Sequence, residues 1–87
     1  MKKLVEEVGG EGLEALIGEY VTVWCVNYIY SGKLIGVNDN DILLEEACVV
    51  YETGKLTDLS HKDAQALPTS KWYIRTSAIE SYGVRGW

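Results

Sequence analysis

The sequence predicts a mainly β domain: a short N-terminal helix, then five short strands forming one strongly bent antiparallel sheet, a small open barrel. Three observations lead there. The spacing of apolar residues changes from helical to alternating at Tyr20. Gly32 and Gly36 stand inside a strand pattern, where glycine marks a bulge, a bend or a close backbone approach. The chain has 87 residues, which makes a single domain over 1–87 the expectation and leaves a marginal core that gains from oligomerisation.

Residues 1–18 read as helical in two pieces. Leu4, Val5 and Val8 share one face before Gly9-Gly10 interrupts; Leu13, Leu16 and Ile17 then repeat at helical spacing and Gly18 supplies the stop. Val21, Val23 and Cys25 alternate with Thr22, Trp24 and Val26 in a first strand that is apolar on both faces. Asn27-Tyr28 turns into a second strand, Ile29 to Val37, bent at Gly32 and Gly36. Asn38-Asp39-Asn40 is a dense turn signal, and Asp41 to Tyr51 a long apolar third strand.

Residues 52–70 read as a long inserted loop. Thr53-Gly54 is placed to turn a hairpin that extends the third strand. Ser60, with Asp63 three residues on, resembles a capping box for one helical turn through Leu67, ended by Pro68. Lys71 to Arg75 and Ala78 to Gly83 complete the strands, and Arg85-Gly86-Trp87 is a tail.

Composition narrows the function. The net charge of −5 disfavours strong non-specific nucleic-acid binding, which depends on neutralising phosphates. The charge is uneven. Glu6, Glu7, Glu11, Glu14 and Glu19 make the N-terminal part acidic, whereas Lys71, Arg75 and Arg85 face only Glu80 beyond Thr69. Cys25 and Cys48 lie in apolar stretches without a Cys-x-x-Cys motif and read as small hydrophobes of a reducing compartment. No run is long and apolar enough to span a bilayer, and the acidic start lacks a signal-peptide core, so the expected location is cytoplasmic, off the membrane. His61, the single histidine, has only Ser60 and Ser70 nearby and reads as a solvated loop residue; no catalytic constellation is expected, hence no enzyme. Asp39 and Asp41 read as a solvated turn rather than a cation site, and no cofactor is implied.

Two segments carry a family signal. Tyr30-Ser31-Gly32-Lys33-Leu34-Ile35-Gly36-Val37-Asn38-Asp39-Asn40-Asp41-Ile42-Leu43-Leu44, followed by Ile74-Arg75-Thr76-Ser77-Ala78-Ile79, resembles in order and spacing the bipartite motif of Sm-like (LSm) proteins. Gly32 matches the family's strand glycine, Leu34 its apolar neighbour, and Ile74-Arg75 with Ile79 the second motif. Asn38 stands for an aspartate and Thr76 for a glycine. Ile42-Leu43-Leu44 and Val21 to Asn27 also resemble the bacterial Sm-like RNA chaperone. The likeness spans about Leu13 to Tyr82.

The resemblance implies a homo-oligomeric ring of about five to seven copies, closed by strand addition. The strand Lys71 to Arg75 pairs with a neighbour's Ala78 to Gly83, making Trp72, Ile74, Ile79 and Tyr82 the candidate interface. It also implies single-stranded RNA at the pore, where bases need a stacking platform, polar groups for their edges and a cation. Carried over, the stacking position falls on Asn40, the base-reading asparagine on Ile42 and the cation on Arg75. The candidate RNA-binding residues are therefore Arg75, Asn40, Asn38 and Thr76. Only Arg75 keeps the family's chemistry, so the expected binding is weak or atypical. The alternative is a ring scaffold or protein-interaction module with no nucleic-acid site. Arg75 has its own alternative, pairing with Asp39 or Asp41 to hold the loop. For Trp24, Tyr28, Tyr30, Trp72 and Tyr73, packing is favoured over base stacking.

Overall fold

A computed structural model describes residues 12–55 and 62–84. The first helical piece, Ser60, His61 and the C-terminal tail lie outside the described residues. The second helical piece is a single 3-10 turn, Glu14–Leu16, closed by Gly18 at φ 97°. Leu13 and Leu16 pack against the core as the spacing predicts, but Ile17 is 48% exposed. One turn presents too narrow a face for all three.

Six strands follow: β1 (Tyr20–Cys25), β2 (Ile29–Val37), β3 (Asp41–Glu52), β4 (Asp63–Ala66), β5 (Lys71–Arg75) and β6 (Ile79–Val84). They form one antiparallel sheet in the order β4-β3-β2-β1-β6, with β5 also on β3. This is the bent, mainly β architecture expected from sequence, with one strand more. Segment 63–66 is strand, not the helical turn expected there. Its pairing with β3, from Glu52↔Asp63 to Cys48↔Ala66, continues the β3 hairpin. A three-residue capping signal is weak beside a ladder that satisfies several backbone groups at once.

β4 and β5 are thus two parts of one partner to β3, separated by residues 67–70. At the break, Leu67 N–H donates to the Ala47 carbonyl and Glu46 N–H to the Ser70 carbonyl. Glu46 adopts φ 54°, the left-handed region that a side chain rarely occupies. Its carboxylate accepts the Tyr20 hydroxyl at 2.7 Å. That bond and the nearby negative charge raise the Tyr20 phenol above its ordinary 10.0.

The bend has a visible cause. Pairing of β2 with β3 slips between Ser31 and Lys33 and again between Leu34 and Gly36. A Cβ on Gly32 would lie 3.0 Å from the Glu45 carbonyl oxygen and 3.1 Å from the Ala47 Cα, so the strands approach as only glycine permits. The fold closes on Val21, Val23, Leu34, Ile42 and Leu44, all fully buried, with Ala47 and Ile74. On the other face, Thr22 and Ser31 are buried and share a hydroxyl hydrogen bond of 2.8 Å.

Candidate functional site

Four expected site residues come together where the β2–β3 turn meets the end of β5. The turn builds itself: the Asn38 side-chain oxygen accepts the Asn40 and Asp41 N–H groups, both at 2.8 Å. A second 3-10 turn, Thr76–Ala78, then seats Thr76 against it. Thr76 N–H donates to the Asn40 carbonyl at 2.8 Å, and its hydroxyl lies 3.1 Å from the Asp39 carbonyl and 3.2 Å from that of Asn40. Thr76 therefore does with a hydroxyl and an amide what a bare glycine would do with its amide alone. It ties the two motif segments together.

These bonds divide the cluster. Asn38 and Thr76 hold the loop, while Asn40 and Arg75 face solvent. Arg75 has a 74% exposed side chain, and its Nε is 3.7 Å from an Asp41 carboxylate oxygen. That loose, wet ion pair contributes little to stability, and it sets a negative charge beside the cation. Asp39 is exposed on the same turn. One cation, one amide and two carboxylates can form hydrogen bonds and a weak electrostatic contact; they offer no aromatic platform. Ile42, on the position of the base-reading asparagine, is fully buried and stands opposite Ile74.

The candidate interface residues separate in the same way. Ile74 is only 5% exposed, so its side chain belongs to its own core, and Trp72 and Ile79 pack partly against that core. Tyr82 remains available at 40% exposure. Tyr73, 67% exposed on the opposite face of β5 from Trp72, is the edge aromatic that motif matching missed. Strand alternation alone would have singled it out.

A shallow concavity of about 190 Å³ lies beside β5, walled by Cys25, Tyr28, Tyr30, Trp72 and Ile74, with Arg75 at its lip. The Tyr28 and Tyr30 rings are 6.2 Å apart and tilted by 58°, a packed pair rather than an open stacking slot. The Cys25 thiol is pushed up by burial and by the Glu80 charge, and the Cys48 thiol by burial, which keeps both protonated and poorly nucleophilic. No group of three or more metal-ligating side chains occurs among the described residues. Nor is any helix among them long and apolar enough to cross a membrane.

No protein-family model matches the sequence, and no curated protein matches it. Solved structures do. The crystal structure of a heptameric archaeal Sm protein superposes with a TM-score of 0.64 at 16% identity, covering 83% of this chain and 93% of that one. At that identity the likeness is one of fold, and it spans nearly the whole neighbour. The chain has the Sm fold.

Proposed function

We propose that this Sm-fold chain is the subunit of a closed homo-oligomeric ring of about five to seven copies, joined by strand addition between β5 of one copy and β6 of the next. The ring carries a weak, poorly base-selective site for single-stranded RNA at Arg75 and Asn40, and acts by binding and assembly rather than by catalysis. Two free cysteines support a reducing, cytosolic setting. One observation supports the ring above all: β5 pairs only with β3 and β6 only with β1 among the described residues, leaving two exposed edges on one bent sheet. Unpaired edges invite pairing, and a ring removes both at once. The heptameric state of the archaeal Sm neighbour agrees with that reading. Light scattering coupled to gel filtration tests it; a stable monomer at micromolar concentration refutes it.

The RNA site rests on the exposed Arg75 beside Asn40, and titrations with U-rich and A-rich oligonucleotides at several salt concentrations test it. Weak binding that disappears in Arg75→Ala, with the oligomer intact, is the expected result. Binding that survives Arg75→Ala moves the site elsewhere, most plainly to Lys55 and Lys62 on the β3–β4 connection. A second reading, a scaffold without a nucleic-acid site, is favoured by Asp41 beside Arg75 and by the net charge of −5. No binding to either oligonucleotide at low salt would establish it.

A further inference from the structure

The turn beside Arg75 supplies polar groups but nothing for a base to stack on, and bound single strands draw much of their affinity from stacking. The strand that ends in Arg75 supplies what the turn lacks. Successive side chains of a strand point to opposite faces, so Lys71, Tyr73 and Arg75 share the face of β5 turned away from the buried Ile74. All three are exposed, Tyr73 at 67% and the Arg75 side chain at 74%. At the usual strand rise, Tyr73 stands roughly 7 Å along the strand from a cation on either side.

The pairing of β5 with β3 fixes what lies beside the phenol ring. Tyr73 stands opposite Leu43, and Leu43 opposite Gly36 on β2. Opposite residues share a face, and a Cβ added to Gly36 would come to 3.7 Å from the Leu43 Cβ. Next to Tyr73 the sheet therefore carries one half-buried leucine and then no side chain, a low apolar shelf. Arg75 stands opposite Asp41 and Lys71 opposite Glu45, with Lys33 beyond Glu45. Lys33, Lys71 and Arg75 against Asp41 and Glu45 leave this face slightly basic on a chain whose total is −5.

We infer that Tyr73 is the stacking platform of the RNA site. A nucleobase lies against its ring over the Leu43–Gly36 shelf, and Arg75 and Lys71 meet phosphates on either side. The inference rests on the RNA reading of Arg75, and it gives the outer face of β5 the role that Asn40 cannot fill. Strand addition at the β5 edge uses backbone groups, and side chains stand roughly perpendicular to the sheet, so ring closure leaves this face open. Stacking on one ring accepts any base, and a carboxylate opposite each cation holds phosphate attraction down. Both agree with weak, poorly selective binding.

Fluorescence anisotropy with A-rich and U-rich oligonucleotides at low salt tests the platform, with light scattering to follow the oligomer of each variant. Tyr73→Ala should weaken binding by roughly five- to a hundredfold and leave its salt dependence unchanged, since no charge is lost. Tyr73→Phe should stay within about twofold of the wild type, whereas Tyr73→Leu, bulky but not aromatic, should behave as Tyr73→Ala. Photo-cross-linking of the unaltered protein to an iodouridine-bearing oligonucleotide does not depend on any variant's folding. Mapped by mass spectrometry, it should label Tyr73. If the wild type binds but Tyr73→Ala or Tyr73→Leu binds as tightly, Tyr73 is not the platform while the Arg75 site stands. A cross-link at Tyr28, Tyr30 or Trp72 in place of Tyr73 has the same meaning. A wild type that binds neither oligonucleotide removes the RNA reading and the platform together.

Discussion

β4 and β5 line the same edge of β3, run in the same direction and are separated by four residues, yet they differ in almost everything else. All four residues of β4 are exposed, whereas β5 alternates, burying Ile74 and half-burying Trp72 while exposing Lys71, Tyr73 and Arg75. β4 exists because β3 offers it a ladder; β5 exists because its own side chains need the core. Strand formation therefore has two sources here, backbone pairing and side-chain burial, and only the second writes a pattern into the sequence.

The largest expected effect lies on the buried side of this contrast. Ile74→Ala should lower stability by about 2–5 kcal/mol in denaturant unfolding, through lost burial and the cavity left behind. Ala66→Ser in β4 should stay within roughly 0.5 kcal/mol, as exposed substitutions do. Equal losses at the two sites would erase the distinction. Hydrogen exchange sharpens it: β4 amides should exchange by local opening well before those of Trp72 and Ile74.

Next in size is the bend that brings both strands onto β3. Gly32→Ala should cost about 1–3 kcal/mol, because its Cβ must displace backbone atoms of Glu45 and Ala47. Gly36→Ala should be milder, since its nearest contact is an ordinary 3.7 Å to the Leu43 Cβ. If Gly36→Ala proves the worse of the two, the bend is not centred at Gly32.

The junction between β4 and β5 supplies the smaller effects. Glu46→Gly should raise stability by about 1 kcal/mol or less, relieving the positive φ at the expense of the Tyr20 bond. Net destabilisation would mean that the hydrogen bond outweighs the strain. Smallest is the titration of Tyr20. Its phenol should ionise above 10.0 by ultraviolet absorbance, and Glu46→Gln should move it down. A group with a raised folded pKa stabilises the fold below its unfolded value and loses that contribution as pH rises through the folded one. The Tyr20 contribution is accordingly complete at neutral pH and fades only in alkali. A pH effect on stability near 7 therefore needs another source.

Much of this was legible in the residues themselves. The period change at Tyr20, the glycines at 32 and 36, the Asn38 turn and the order of the two motif segments are local signals, and each stands where the sequence places it. They are legible because alternation, turn chemistry and steric freedom act within a few residues. Other features were decided only by the tertiary structure. β4 consists of Asp, Ala, Gln and Ala, residues with no strand preference, and its pairing comes from β3. Thr76 became a tie between the two motif segments because the Asp39 and Asn40 carbonyls lie beside it across 36 or 37 residues of chain. Ile74 went to the core and Tyr73 to the free edge according to which face of β5 met Leu44 and Ile42. Such outcomes depend on which distant strand arrives at which edge, and on what is already buried there. No window of sequence holds both partners, so the pairing itself had to be seen.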